Sequence, residues 1–402
     1  MDDLHTNWIN KSLGDLINID RGYAFKSEDY KPNGIPIFRV TNIEDNGTLN
    51  VYDDIVFLDR EKAEQYSEYL LNNNDVLIVM VGATVGKLGL AKENIVGYLL
   101  NQNMWRLTTK SETDCSQLFF YYALHPIVED FLDTLQGSAS GFLTQKAFAK
   151  IKFSIPPFAE QKKIATILTS VDTVIEKTQA QIDKLNDLKT GMMAELLTKG
   201  IGPDGKPHTE FKDSPVGRIP AEWECQQLKE YLSLISYGFT NPMPESDDGP
   251  LMVTARDVKN LEIQKKTARR TTLEAYKNLL TDKSRPLIND LLLTKDGTLG
   301  RVALVEEAGI CINQSVAVLR HNEKILPKFV LYLFDSAIYQ QKMIDNAGGS
   351  TIKHIYITIV DKMNVAVPCI DEQKRIVKIA ENLTLRLKQI NLKFCLFKKI
   401  CG

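Results

Sequence analysis

The chain has 402 residues, 44% of them apolar, and 49 basic against 51 acidic side chains give a net charge of −2. This length buries more than one hydrophobic core, so two or three domains are expected, and near-neutrality excludes nucleic-acid binding driven by bulk charge. No stretch approaches the roughly 18–20 consecutive apolar residues that span a bilayer. The start, MDDLHTNWINKSL, has neither the basic end nor the apolar run of a secretion signal, so a cytoplasmic protein without a membrane partner is expected.

From Trp8 a short apolar segment leads to a turn of glycine and aromatics, Gly22-Tyr23-Ala24-Phe25, and then to a strand ending on polar residues, IFRVTNI at 37–43. Asp75 opens DVLIVMVG, whose continuous apolar run fits a strand covered on both faces. A glycine loop, the strand LGLA, a strand after Asn101-Gln102 and an amphipathic helix from Ser116 complete a mixed α/β module. Pro156 and Pro157 then stop the incoming strand and pre-set the first turn of a helix running from about Ala159 to Thr198. The proline- and glycine-rich segment 200–220 reads as an irregular linker.

The chain then repeats itself. Residues 8–75 match 223–290 at an offset of 215, placing Trp8 on Trp223 and Asp75 on Asp290. From Asn101 the offset is 212, with Asn101-Gln102 on Asn313-Gln314 and Glu160-Gln161 on Glu372-Gln373. In the second helix, from about Asp371, the same apolar seam returns. Ile164, Leu168, Val171, Ile175, Ile182 and Leu185 in the first copy fall on Ile376, Ala380, Leu383, Leu387, Phe394 and Phe397 in the second, and Ile390 takes the place of Thr178. Steps of four and three are heptad spacing, and neither helix is stable alone with that stripe in water. The expected architecture is α/β (α+β): two mixed α/β modules separated by two long helices that pair as an antiparallel coiled coil, with a pseudo-twofold internal repeat.

The chemistry-bearing motifs are few. Gly82-Ala83-Thr84-Val85-Gly86-Lys87 looks like a phosphate loop, but it has three residues rather than four between the glycines, and Leu88 follows the lysine. Two readings stay open for it and for its counterpart Asp296-Gly297-Thr298-Leu299-Gly300-Arg301: a glycine turn that brings a cation to a phosphate backbone, or a tight turn with a surface cation. Ile155-Pro156-Pro157-Phe158 lacks the asparagine that an adenine methyltransferase uses to hold its target amino group, and no glycine-rich turn for S-adenosylmethionine is visible. The five histidines and six cysteines show no metal-ligand spacing, so neither an active site nor a bound metal is expected.

Recurring loop residues are the positive signal. Tyr23, Lys26, Arg39, Asn42, Thr84 and Lys87 in the first module have Tyr237, Arg256, Lys259, Lys295, Thr298 and Arg301 in comparable places in the second. The Gly/Ser loops add Ser138, Ser140, Gln145 and Lys146 to the first set, and Ser350, Thr351 and Lys353 to the second. Hydroxyls, amides and cations together suit phosphate positioning and hydrogen bonds to base edges, so these residues are the candidate DNA contacts. Residues 1–155 carry 14 basic against 21 acidic side chains, net −7, so any such contacts there are local.

With the repeat in hand, the motifs P-x-x-E-Q-K-K-I-A at 157–165, L-L-T-K-G-I at 196–201 and F-K-D-S-P-V-G-R-I-P-A-E-W at 211–223 mark a family. The chain resembles the specificity subunit of Type I restriction-modification systems over essentially its whole length. The resemblance implies target-recognition domains at 1–155 and 221–367, a central conserved helix at 156–199, a linker at 200–220 and a distal conserved helix at 368–402. It further implies a non-catalytic subunit in which each recognition domain reads one half of a bipartite site in double-stranded DNA and the coiled coil sets the spacing. Two modification (methyltransferase) subunits would dock on the helices, and restriction (translocase and nuclease) subunits would join for cleavage. No cofactor would be bound by this chain; S-adenosylmethionine, ATP and Mg2+ would belong to those partners. The competing reading is a coiled-coil scaffold with two globular domains that do not bind DNA.

Overall fold

The computed structural model describes residues 7–44, 47–135, 144–348 and 353–401. The chain divides into two units, 1–176 and 177–402, and the division falls inside the first long helix rather than at its start.

In the first unit an antiparallel sheet runs in the order β1-β4-β2-β3, made of β1 (Ile17–Arg21), β2 (Val76–Val79), β3 (Leu88–Leu90) and β4 (Met104–Thr109). All four residues of β2 are buried, as its unbroken apolar run requires. A second, mixed sheet contains the parallel pair Ile37↔Leu99, so each module uses two small sheets where one was expected. Helix α1 (Gln117–Leu135) packs Phe119, Phe120, Leu124 and Val128 against Trp105 and Leu107 of β4. The first and last strands of the module pair, Ile9 opposite Ile155, before α2 (Phe158–Lys199) begins. Tyr122 in α1 donates to Asp172 of α2 at 2.7 Å, and Lys92 pairs with Glu176, so the helix is held against its own module.

The second unit repeats this plan. The strands β5 (Leu232–Tyr237), β6 (Leu291–Thr294), β7 (Val302–Leu304) and β8 (Val316–His321) form the antiparallel sheet β5-β8-β6-β7, and Leu251↔Ile310 is the matching parallel pair. Helices α3 (Pro327–Asp335) and α4 (Ala337–Asp345) cover the sheet, Glu224 pairs with Val367, and α5 (Ile370–Cys401) closes the chain. Segment 200–220 is more ordered than its composition suggests. Gly200, at φ +67, ends α2, and Phe211–Lys212 pairs with Ile219–Pro220 in a small hairpin.

The seam is where the heptad spacing puts it. Ile182, Ile376, Leu387 and Phe394 are buried, while Ile164, Leu168, Val171, Ile175, Leu185, Leu383, Ile390 and Phe397 are half-buried. Off-seam apolar residues are exposed, Ile167 at 63% and Leu392 at 63%. Within the second unit the last turns of α2 (Met193, Leu196, Leu197) share a core with the first turns of α5 (Ile376, Val377, Ala380).

His321, at the end of β8, has both ring nitrogens buried without a hydrogen-bond partner. Burial pushes its pKa down to about 4. The folded unit therefore holds this ring neutral while the unfolded chain protonates it near pH 6.5, so its contribution is intact above pH 6.5 and is lost as pH falls toward 4. Acidification from pH 7 to 5 is expected to cost about 2 kcal/mol through this group. Denaturant titrations at the two pH values check this, and a His321→Gln chain showing the same pH loss would rule it out.

Candidate nucleic-acid interface

Both modules hold their loops on the same frame. Tyr23 bridges in parallel to Asn101 and Phe239 to Asn313, so Tyr23 corresponds to Phe239, and Tyr237 stands two residues earlier than the spacing suggested. The close approach accounts for Gly22 and Gly238. A Cβ there would lie 2.1 Å from the Asn101 carbonyl oxygen or 1.8 Å from that of Ile312.

A cleft lies beside this turn in each module. The first, about 270 Å³, is walled by Asp20, Arg21, Glu68, Tyr69, Leu100 and Arg106. The second, about 300 Å³, is walled by residues including Phe239, Asn241, Arg269, Asn313 and Gln314. In the first module the Tyr23 ring centroid is 4.5, 5.1 and 5.3 Å from those of Tyr66, Phe25 and Tyr69. Sequence reasoning missed Tyr66 and Tyr69, because nothing in the spacing of residues 64–69 ties them to a turn more than forty residues away.

Several candidate contacts prove to be internal. Asn42 is fully buried: its Oδ1 accepts from Arg39 N at 2.9 Å and its Nδ2 donates to Asp53 O. It caps a short helical turn, as Asp257 does in the second module by accepting from Thr254 N at 2.9 Å, so Asn42 does not belong on a DNA-touching surface. The same pair of caps aligns Arg39 with Thr254 and moves Arg256 onto Thr41. Arg39 is engaged by Asp54 at 2.7 Å, and its hydrogen bond holds the Asp54 carboxyl below the usual carboxylate range.

Lys87 and Arg301 are true counterparts that bend back onto their own modules. Their side chains donate to Ile43 O at 3.4 Å and Val258 O at 3.5 Å, at matching places after the caps. Gly82 (φ +94) and Gly86 (φ +87), like Gly297 (φ +78) and Gly300 (φ +79), form the left-handed turns that the motif suggested. Thr84 is half-buried in its loop, Thr298 donates to Ala255 O at 3.2 Å, and Gln145 donates to Ile19 O at 3.3 Å.

Other candidates face solvent. Lys26, paired loosely with Glu28 at 3.5 Å, is exposed, as are Lys146, Arg256, Lys259 and Lys353. Ser138, Ser140, Ser350 and Thr351 lie outside the described residues.

A local cluster distinguishes the second module. Asp296 accepts from Lys295 Nζ at 2.8 Å and meets His354 Nδ1 at 2.6 Å, while the Lys295 ammonium lies 5.5 Å from the Tyr237 ring centroid. Burial works against charge on Asp296, yet hydrogen bonds from Lys295 and His354 hold its pKa below the ordinary value. An imidazole anchored through Nδ1 keeps Nε2 as its remaining hydrogen-bonding atom, and Lys353 and the 47%-exposed Tyr237 are open to solvent. In the first module Met80 and Val81 occupy the places of Lys295 and Asp296, Met80 N donating to Asn103 O as Lys295 N donates to Ser315 O, so the frame is shared and the loop chemistry is not.

Comparison with known proteins agrees with this two-part plan. The Type I restriction modification DNA specificity domain family matches residues 5–187 and again 223–393. The chain is 27% identical to the Type I restriction enzyme MjaVIII specificity subunit of Methanocaldococcus jannaschii, over 76% of this chain and 71% of that protein. It is 23% identical to the EcoBI specificity subunit of Escherichia coli, over 94% and 80%. The crystal structure of a Type I restriction-modification S subunit from M. genitalium superposes with a TM-score of 0.60 at 14% identity, covering 100% of this chain and 96% of that one, a likeness of fold. Since the family's domain is found once in each half and spans the paired frames just described, the chain belongs to the Type I restriction-modification DNA specificity family.

Proposed function

We propose that the chain is the DNA-reading specificity subunit of a Type I restriction-modification complex, each module reading one half of a bipartite site. The observation that carries this is one scaffold presented twice with different loop chemistry: an aromatic cluster beside Arg21 and Arg106 in the first module, and the Tyr237, Lys295, Asp296, His354 group in the second. A protein that reads two unlike half-sites needs that combination. A scaffold protein has no use for two matched frames with divergent loops.

On this reading α2 and α5 set the distance between half-sites, and two modification subunits dock on them to methylate adenine, with restriction subunits joining for cleavage. The chain itself is non-catalytic and cytoplasmic. S-adenosylmethionine, ATP and Mg2+ act on the partner subunits. Among the described residues no helix is long and apolar enough to cross a membrane.

The test is binding of the full chain, with its modification subunits, to duplex DNA at graded salt. Contacts by a handful of cations such as Lys146, Arg256 and Lys259 predict that log affinity falls linearly with log salt, with a slope of about −0.9 per phosphate contact. Affinity that ignores salt, or no binding with the partners present, would return the scaffold reading.

A further inference from the structure

The Glu-Gln pair that opens each long helix divides its labour unequally. Glu372 is buried and Glu160 is exposed, so the glutamates do not share a role. Gln161 and Gln373 are 1% and 0% exposed and make the same three hydrogen bonds. Gln161 Oε1 accepts from Ser116 N at 2.8 Å, while its Nε2 donates to Asp114 O at 3.0 Å and Pro156 O at 2.9 Å. Gln373 Oε1 accepts from Leu326 N at 2.7 Å, while its Nε2 donates to Lys324 O at 3.2 Å and Pro368 O at 2.9 Å.

The partners occupy equivalent places. Ser116 and Leu326 each cap the start of the module's own helix, α1 or α3, and Pro156 and Pro368 follow the strand by which the chain leaves the module. One amide therefore ties together the strand exit, the loop before the module's helix and the first turn of the long helix.

We infer that Gln161 and Gln373 are positioning residues that lock the angle between each recognition module and its long helix, and thereby the number of base pairs between half-sites. The inference rests on the proposed bipartite DNA reading and adds to it the joint at which the spacing is held. Magnitude supports the need for a lock. A module of this size has a radius of gyration of about 15 Å, so a tilt of about 13° at the joint shifts its centre by about 3.4 Å, one base-pair step. Prolines alone fix φ at the joint but leave ψ free. Three hydrogen bonds to one planar amide, with no water competing, remove that freedom.

The test uses the full chain expressed with its modification subunits in a host that lacks other adenine methylation, with methylated sites mapped genome-wide. For Gln373→Leu and Gln161→Leu the bases of each half-site are expected to stay unchanged. Methylation at sites whose spacer differs by one base pair should rise about tenfold relative to the original spacer, the scale on which small misplacements act on an oriented reaction. Gln373→Glu keeps an oxygen to accept from Leu326 N and serves if the leucine chain does not fold. A residue that only stabilises the fold would lower methylation everywhere without widening the spacer distribution, and an unchanged distribution in folded variants overturns the inference. A wild-type chain that yields no two-part motif overturns the bipartite reading instead.

Discussion

Replacing Glu372 with alanine is expected to destabilise residues 177–402 by about 4 kcal/mol, since it strands buried donors that have no other acceptor. The Glu372 carboxyl is 2% exposed and accepts from Ile201 N at 2.8 Å and Trp223 Nε1 at 3.1 Å, with His208 Nε2 at 3.0 Å. Ile201 and His208 come from the segment that follows α2 and Trp223 from the entry to the second module, so one side chain of α5 ties both to itself. Arg375 adds a tie from the same helix, donating to Ile201 O at 3.2 Å. Glu372→Gln retains one acceptor and should lose about half as much. Glu160→Ala, at the repeat's matching but exposed position, should fall within about 0.5 kcal/mol of wild type. Denaturant unfolding followed by tryptophan fluorescence measures all three, Trp223 reporting on the Glu372 variants and Trp105 on Glu160→Ala. A Glu372→Ala chain as stable as wild type would mean that its buried partners find water, and the account of the joint would fail.

The second large effect concerns specificity. Exchanging residues 1–155 for another recognition module is expected to replace one half of the recognised DNA sequence and leave the other half and the spacer intact. The two modules have separate hydrophobic cores, one built on Trp105, Phe120 and Phe148 and the other on Trp223, Phe329 and Phe334, so the exchange leaves the second core whole. Each mismatched base pair costs about 1–3 kcal/mol, so affinity for the original half-site should drop by about a thousandfold or more once several are lost. Mapping methylated adenines in cells carrying the hybrid measures this. A change in both half-sites would show that the modules do not read independently.

The long helices were legible because heptad spacing is a local, repeated signal, and the duplication confirmed its register: Ile182, Ile376, Leu387 and Phe394 are buried where the steps of four and three put them. The buried strand after Asp75 was legible for the same kind of reason, an unbroken apolar run between turn residues. The candidate contacts were harder. Asn42 looked like a polar residue at a strand end, but whether such a residue faces DNA or folds back as a cap depends on the backbone turn after it, which residue type does not reveal. Lys87 and Arg301 recur because both brace the same loop, so recurrence by itself did not separate structure from binding. The Asp296–His354 pair joins residues 58 apart and could be found only once the chain had folded.

The pairing of each module's first strand with its last has an evolutionary consequence. Ile9 opposite Ile155 and Glu224 opposite Val367 bring the entry and exit of each module side by side, as a stalk. In the second module everything between the two strands is then topologically a single long insertion between α2 and α5. Recombination at the stalk can trade one such module for another without creating loose ends. On the proposed reading, a lineage can change the half-site it recognises while the helical framework is inherited unchanged.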